Sequence, residues 1–129
     1  MKPTVFFLLS LWMAVYSIQL KAEKNQLICR NLTESNGLSD NRVTCFFKDR
    51  TGFMWIGTEN GLNRYDGHNF IVYRPGQESF AISNEFITGI GQDENGMLWV
   101  ATRNGLNMLD VENDSLTTFL PVNTGKENQ

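Results

Sequence analysis

Histidine occurs once in these 129 residues, cysteine twice, and a block of positive charge not at all. Each scarcity removes a class of function. With 11 Lys and Arg against 14 Asp and Glu, and no basic stripe, the chain has no electrostatic footprint for nucleic acid. His68 stands alone in the turn Asp66-Gly67-His68-Asn69. It has neither the base partner that proton transfer needs nor the helical dimerisation setting of a phosphoacceptor, so it reads as a surface-turn residue. Cys29 and Cys45 have no further Cys or His near them, which argues against metal binding, and no cofactor is expected. A disulfide between the two stays open. The plainer reading makes Cys45 a small apolar residue inside the strand-like run Val43–Phe47, with Cys29 inside another such run.

Long apolar runs are scarce too. Val5–Tyr16 follows Lys2 and precedes the polar Gln19, Lys21, Glu23 and Lys24. It is shorter than the ~20 residues a membrane-spanning helix needs, so residues 1–22 are expected to be a secretory signal peptide. Cleavage after Ala22 and after Ser17 satisfy the small-residue rule about equally, and an uncleaved signal anchor is the alternative. In either case the rest of the chain is expected to face the non-cytosolic side.

Helical spacing of apolar residues is absent beyond the signal, and what replaces it is repetition. The stretch Asp49-Arg50-Thr51-Gly52-Phe53-Met54-Trp55-Ile56-Gly57-Thr58-Glu59-Asn60-Gly61-Leu62-Asn63 returns 44 residues later as Asp93-Glu94-Asn95-Gly96-Met97-Leu98-Trp99-Val100-Ala101-Thr102-Arg103-Asn104-Gly105-Leu106-Asn107. Gly52 and Gly96 close turns opened by an Asp, and Asn60-Gly61 and Asn104-Gly105 repeat that chemistry in a second turn. Between them lie short strands: Val43–Phe47, Phe53–Thr58, Leu62–Tyr65 and Phe70–Tyr73, then Phe86–Ile90, Met97–Thr102, Leu106–Leu109 and Leu116–Phe119.

Four strands in about 44 residues is the content of one propeller blade, so the fold class is all-β, with about two four-stranded blades of an incomplete β-propeller after the signal. The expected divisions are 1–22 signal, 23–37 an N-terminal strand that would complete the last blade of a ring, 38–81 a first blade and 82–129 a second. Strands 53–58 and 97–102 are apolar on both faces, as expected of strands sandwiched between blades. Trp55 and Trp99 are then structural, filling the gap between blades with Gly57 and Ala101 leaving room beside them. Burying one such ring removes ~150–250 Å² from water, on the order of 4–6 kcal/mol at ~25 cal/mol per Å². That energy requires a neighbouring blade, and a ring needs at least about four. The chain is therefore expected to be an N-terminal piece of a longer protein or a truncated product.

The order Gly37-Leu38-Ser39-Asp40-Asn41-Arg42-Val43, Asp49 to Thr58 and Gly61-Leu62-Asn63-Arg64-Tyr65-Asp66-Gly67 resembles the two-component-regulator propeller repeat. The second copy departs from that pattern at Ile82 and Ala101 and keeps the tryptophan and the Gly-Leu-Asn core. The resemblance implies the periplasmic sensor region of a hybrid two-component histidine kinase of Bacteroides type, and signal transduction in response to an extracellular ligand, in that family often an oligosaccharide. The implied partners are the remaining blades and the kinase modules of the full-length protein. A kinase core is not expected within these residues, which hold no phosphoacceptor motif, nucleotide-binding glycine box or receiver aspartate cluster. An exported propeller enzyme, a lyase or glycosidase, is the alternative. It needs convergent carboxylates, a His or a metal on the rim, and this stretch offers none there. A structural, protein-interaction propeller is a third reading.

Positions that repeat identically are explained by folding, which assigns Gly52, Gly96, Gly61, Gly105, Trp55 and Trp99 to the scaffold. Asp49, Asp93, Asp66 and Asp110 are turn-capping residues on the same argument. Ligand chemistry is sought where the copies disagree, on loops at one end of the blades: Arg42, Glu59, Glu85 and Arg103 are the candidate ligand-binding residues.

Overall fold

A computed structural model describes residues 30–78 and 80–122. Eight strands form two four-stranded antiparallel sheets, each a meander in sequence order. The first holds β1 (Val43–Lys48), β2 (Met54–Thr58), β3 (Gly61–Tyr65) and β4 (Phe70–Tyr73), and the second β5 (Ile87–Gln92), β6 (Leu98–Thr102), β7 (Gly105–Asp110) and β8 (Ser115–Phe119). These are the two expected blades. The register repeats as well: Trp55 lies opposite Arg64 and Trp99 opposite Met108, and β1 and β5 carry an irregularity at the same place.

The turns form for the reasons their residues suggest. Asp49 Oδ1 accepts the amides of Thr51 and Phe53 at 2.9 and 3.0 Å, and Asp93 Oδ1 accepts those of Asn95 and Met97 at the same distances. Gly52 and Gly96 close these turns at φ 98° and 85°, a region that a side chain disfavours.

The core lies between the sheets. Trp55, Leu62 and Tyr73 on one face of the first blade pack against Ile87, Leu98, Val100 and Leu109 of the second, with Ile82 from the connection beside them. All are buried. Gly57 makes this approach possible in a way the sequence reading did not foresee. A Cβ placed there would lie 2.6 Å from Ile87 Cγ2 and 2.7 Å from Cys45 Sγ, so the missing side chain makes room for the neighbouring blade and for β1 rather than for the tryptophan. Cys45 packs against this core as a small apolar side chain.

Ahead of β1, Arg30–Thr33 carry no strand pairing, and Glu34–Asn36 form a single 3-10 turn capped by Thr33 and Asn36. The two sheets do not include the blade that the expected N-terminal strand within 23–37 would complete. The signal peptide at 1–22, the remainder of that strand and Cys29 lie outside the described residues. Among the described residues no helix is long and apolar enough to cross a membrane.

Candidate functional site

Three hydrogen bonds between main-chain groups gather the loops at one end of the blades. Glu59 N donates to the Arg42 carbonyl at 3.1 Å, Gly61 N to the Glu85 carbonyl at 2.8 Å, and Arg103 N to the Phe86 carbonyl at 3.1 Å. Arg42, Glu59, Glu85 and Arg103 therefore share one rim. Their side chains play different parts on it.

Arg42 is spoken for. Its Nη1 lies 2.6 Å from Glu59 Oε2, and its Nε and Nη2 donate to the two carboxylate oxygens of Asp40 at 3.2 and 2.9 Å. Asp40 is nearly buried, and the hydrogen bonds from Arg42 hold its carboxyl below the usual carboxylate range. The same pairing pushes the Arg42 guanidinium up. In the second blade the residues at the Arg42 and Glu59 positions are Phe86 and Arg103, and the contact is kept in another form: the guanidinium carbon of Arg103 sits 3.5 Å from the Phe86 ring centroid. An ion pair in one blade corresponds to a cation–π stack in the next. Arg103 makes no ion pair among the described residues and is exposed. Glu85 exposes its side chain beside it. Asp40 and Phe86 were missed from sequence, although aligning the two copies would have shown both partners changing together.

Beneath the rim each blade is pinned by a polar triad. Asn63 Oδ1 accepts the Ser39 amide at 2.8 Å, its Nδ2 donates to Ser39 Oγ and the Ile56 carbonyl, and Ser39 Oγ meets Thr58 Oγ1 at 2.7 Å. Ser83, Asn107 and Thr102 repeat every one of these contacts. The triads resemble catalytic constellations in composition only. Among the described residues no buried side-chain polar atom is left without a partner, so each hydroxyl and amide is committed to holding strand against loop.

The opposite end carries the Asp turns and further scaffold chemistry. Trp55 Nε1 donates to Asp49 Oδ2 at 2.7 Å, and Trp99 Nε1 to Asp93 Oδ2 at 2.8 Å, so each turn aspartate also orients the next strand's indole. Burial pushes the Asp49 pKa up, but hydrogen bonds from Thr51, Trp55 and Phe53 outweigh it and hold the carboxyl below its ordinary range. Asp93 is lowered chiefly by Trp99. Asp66 accepts the amides of His68 and Asn69, and Asp110 those of Glu112 and Asn113, as turn-capping residues do. His68 is exposed in its turn. No group of three or more metal-ligating side chains occurs among the described residues.

Two stacked four-stranded meanders with one register, one set of turns and one inter-sheet core are blades of a β-propeller. Both are two component regulator propeller repeats, a family whose pattern matches residues 37–60 and 81–104. The chain is 40% identical over 58 residues to Histidine kinase P4 of Formosa agariphila, a stretch that covers 45% of this chain and 4% of that kinase. Its structure is similar to the extracellular domain of BT3049 from B. thetaiotaomicron, described as a hybrid two component system. There the TM-score is 0.62 and the identity 33%, over 70% of this chain and 13% of that one. The extracellular domain of BT4673 from the same organism matches with a TM-score of 0.57 and 31% identity, over 67% of this chain and 13% of that one. The chain thus spans a small part of each of these three relatives.

Proposed function

We propose that this chain supplies two blades of the extracytoplasmic, ligand-sensing propeller of a two-component histidine kinase, exported by its N-terminal segment and responding to an oligosaccharide. The observation that carries the reading is the pair of propeller repeats in tandem, at 33% identity to the extracellular domain of a protein described as a hybrid two component system. In this reading the segment before residue 38 pairs with the last blade of the ring, and that pairing makes it a strand. Ligand meets the protein on the rim that carries Arg103 and Glu85, whose exposed polar groups suit sugar hydroxyls. Arg42 and Glu59, being paired with each other, act there as framework.

Calorimetric titration of the exported protein with a panel of glycan-derived oligosaccharides tests this. One class should bind, and Arg103→Ala with Glu85→Ala should weaken it by about tenfold, the equivalent of 1.4 kcal/mol, with the thermal midpoint unchanged. Unaltered affinity in that double variant would remove the rim from the reading, and absence of binding across the panel would remove the oligosaccharide.

A further inference from the structure

At the end of the molecule opposite the rim, the two blades part to leave a cleft of about 490 Å³. Its walls include Phe53, Arg64, Met97, Leu98 and Val111, and its mouth carries Glu94, Asp110 and Glu112. Arg50 braces that mouth: its amide donates to Gln92 Oε1 at 3.0 Å and its Nη1 to the Glu94 carbonyl at 2.9 Å, tying the first turn of one blade to that of the next.

Arg64 is the unusual member. It is partly buried, with its guanidinium carbon 4.9 Å from the Phe53 ring centroid and 5.9 Å from that of Trp55. Both ion pairs recorded among the described residues belong to Arg42, and Arg64 donates none of the side-chain hydrogen bonds found there. The turn aspartates nearby are engaged elsewhere, Asp49 by Thr51, Phe53 and Trp55 and Asp110 by Glu112 and Asn113. A partly buried guanidinium stacked on aromatic faces keeps a fork of N–H donors that fits a carboxylate in two parallel hydrogen bonds. Blade folding does not require the charge, because the second blade places Met108 at the same register position opposite Trp99.

We propose that the inter-blade cleft is a binding site for a small carboxylate ligand, with Arg64 gripping the carboxylate. The acidic mouth then selects what the rest of the ligand carries. Glu94 and Glu112 accept hydrogen bonds and, with Asp110, repel a second negative charge, so the ligand has one carboxylate and a body bearing hydroxyl donors, as a hydroxy acid or uronic acid does. Met97 and Val111, both partly exposed, accept its apolar face.

The test is an NMR titration of the full chain with sodium glucuronate, following the Arg64 Nε–H resonance, with glucose as the uncharged probe. Glucuronate should shift that resonance saturably and glucose should not. Arg64→Met, which installs the second blade's own residue, should weaken glucuronate binding by at least about tenfold with an unchanged thermal midpoint. Arg103→Met, at the other end, should leave it intact. A glucuronate response that persists undiminished in Arg64→Met, or no saturable response in the wild-type chain, overturns the proposal. A response lost in Arg103→Met instead would move the carboxylate to the rim. None of these results depends on whether an oligosaccharide binds the rim.

Discussion

The two blades have nearly the same sequence pattern and very different surroundings. Leu62 and Leu106 occupy one repeat position, yet Leu62 is fully buried and Leu106 is 36% exposed. Tyr73 and Phe119 occupy another, at 6% and 47%. Trp55 stacks on Tyr73 as Trp99 stacks on Phe119, with ring centroids 5.7 and 5.9 Å apart, but only Trp55 is fully enclosed. The difference is a neighbour: the face that the first blade presents to the second is covered, and the corresponding face of the second is open. On the far side of the first blade, Phe46 is 75% exposed. In a repeat fold the sequence specifies which side chains are available for burial, and the next repeat determines whether they are buried.

The sharpest way to break the comparison is at the tryptophans. Trp55→Ala removes a fully buried ring and should cost about 3–5 kcal/mol of unfolding free energy, whereas Trp99→Ala should cost about half as much. Chemical denaturation of the two variants measures both. Equal losses would mean that the open face of the second blade is covered in solution.

A smaller effect is expected at the glycine. In the first blade Cys45 faces Gly57 across the β1–β2 pair, and in the second Gly89 faces Ala101, so the two blades place the small residue on opposite strands. Gly57→Ala should overpack by about 1–3 kcal/mol. Pairing it with Cys45→Gly, to imitate the second blade, should recover only part of that loss, because the new methyl still meets Ile87. Full recovery in a thermal melt would show that the second blade can shift away.

The smallest difference should come from the turn aspartates. Asp49→Asn sets an amide against the Trp55 N–H and should cost about 1 kcal/mol, and Asp93→Asn less, at a partly exposed indole. The pH dependence carries the same information. The folded Asp49 carboxyl titrates below its unfolded value, so its contribution is fully present above the ordinary carboxylate range near ~3.9 and is lost as pH falls through the lowered folded value. Acid melts of Asp49→Asn should lack that part of the loss.

Much of the scaffold was legible because turn chemistry is local. An Asp followed three residues later by a Gly needs nothing outside itself to specify a turn, and the strand limits followed from Gly52, Gly61, Gly96 and Gly105. The rim was less legible because its meaning is pairwise. Glu59 and Arg103 look like a functional disagreement between copies until Arg42 and Phe86 are placed beside them, and then each is half of a contact that both blades keep. Gly57 was misread for a related reason, since its occupant comes from a strand 30 residues further on. Arg64 was passed over because it lies in a strand just past the repeated run that ends at Asn63, while differences between the copies were sought on the rim loops alone.

The hydrogen bond from Gly61 N to the Glu85 carbonyl has a mechanical reading. It joins the turn between the two middle strands of one blade to the approach of the next, and Gly61 itself begins β3. Because donor and acceptor are both main-chain groups, this tie between the blades does not depend on which side chain stands at 85, and the rim can vary there without loosening the joint.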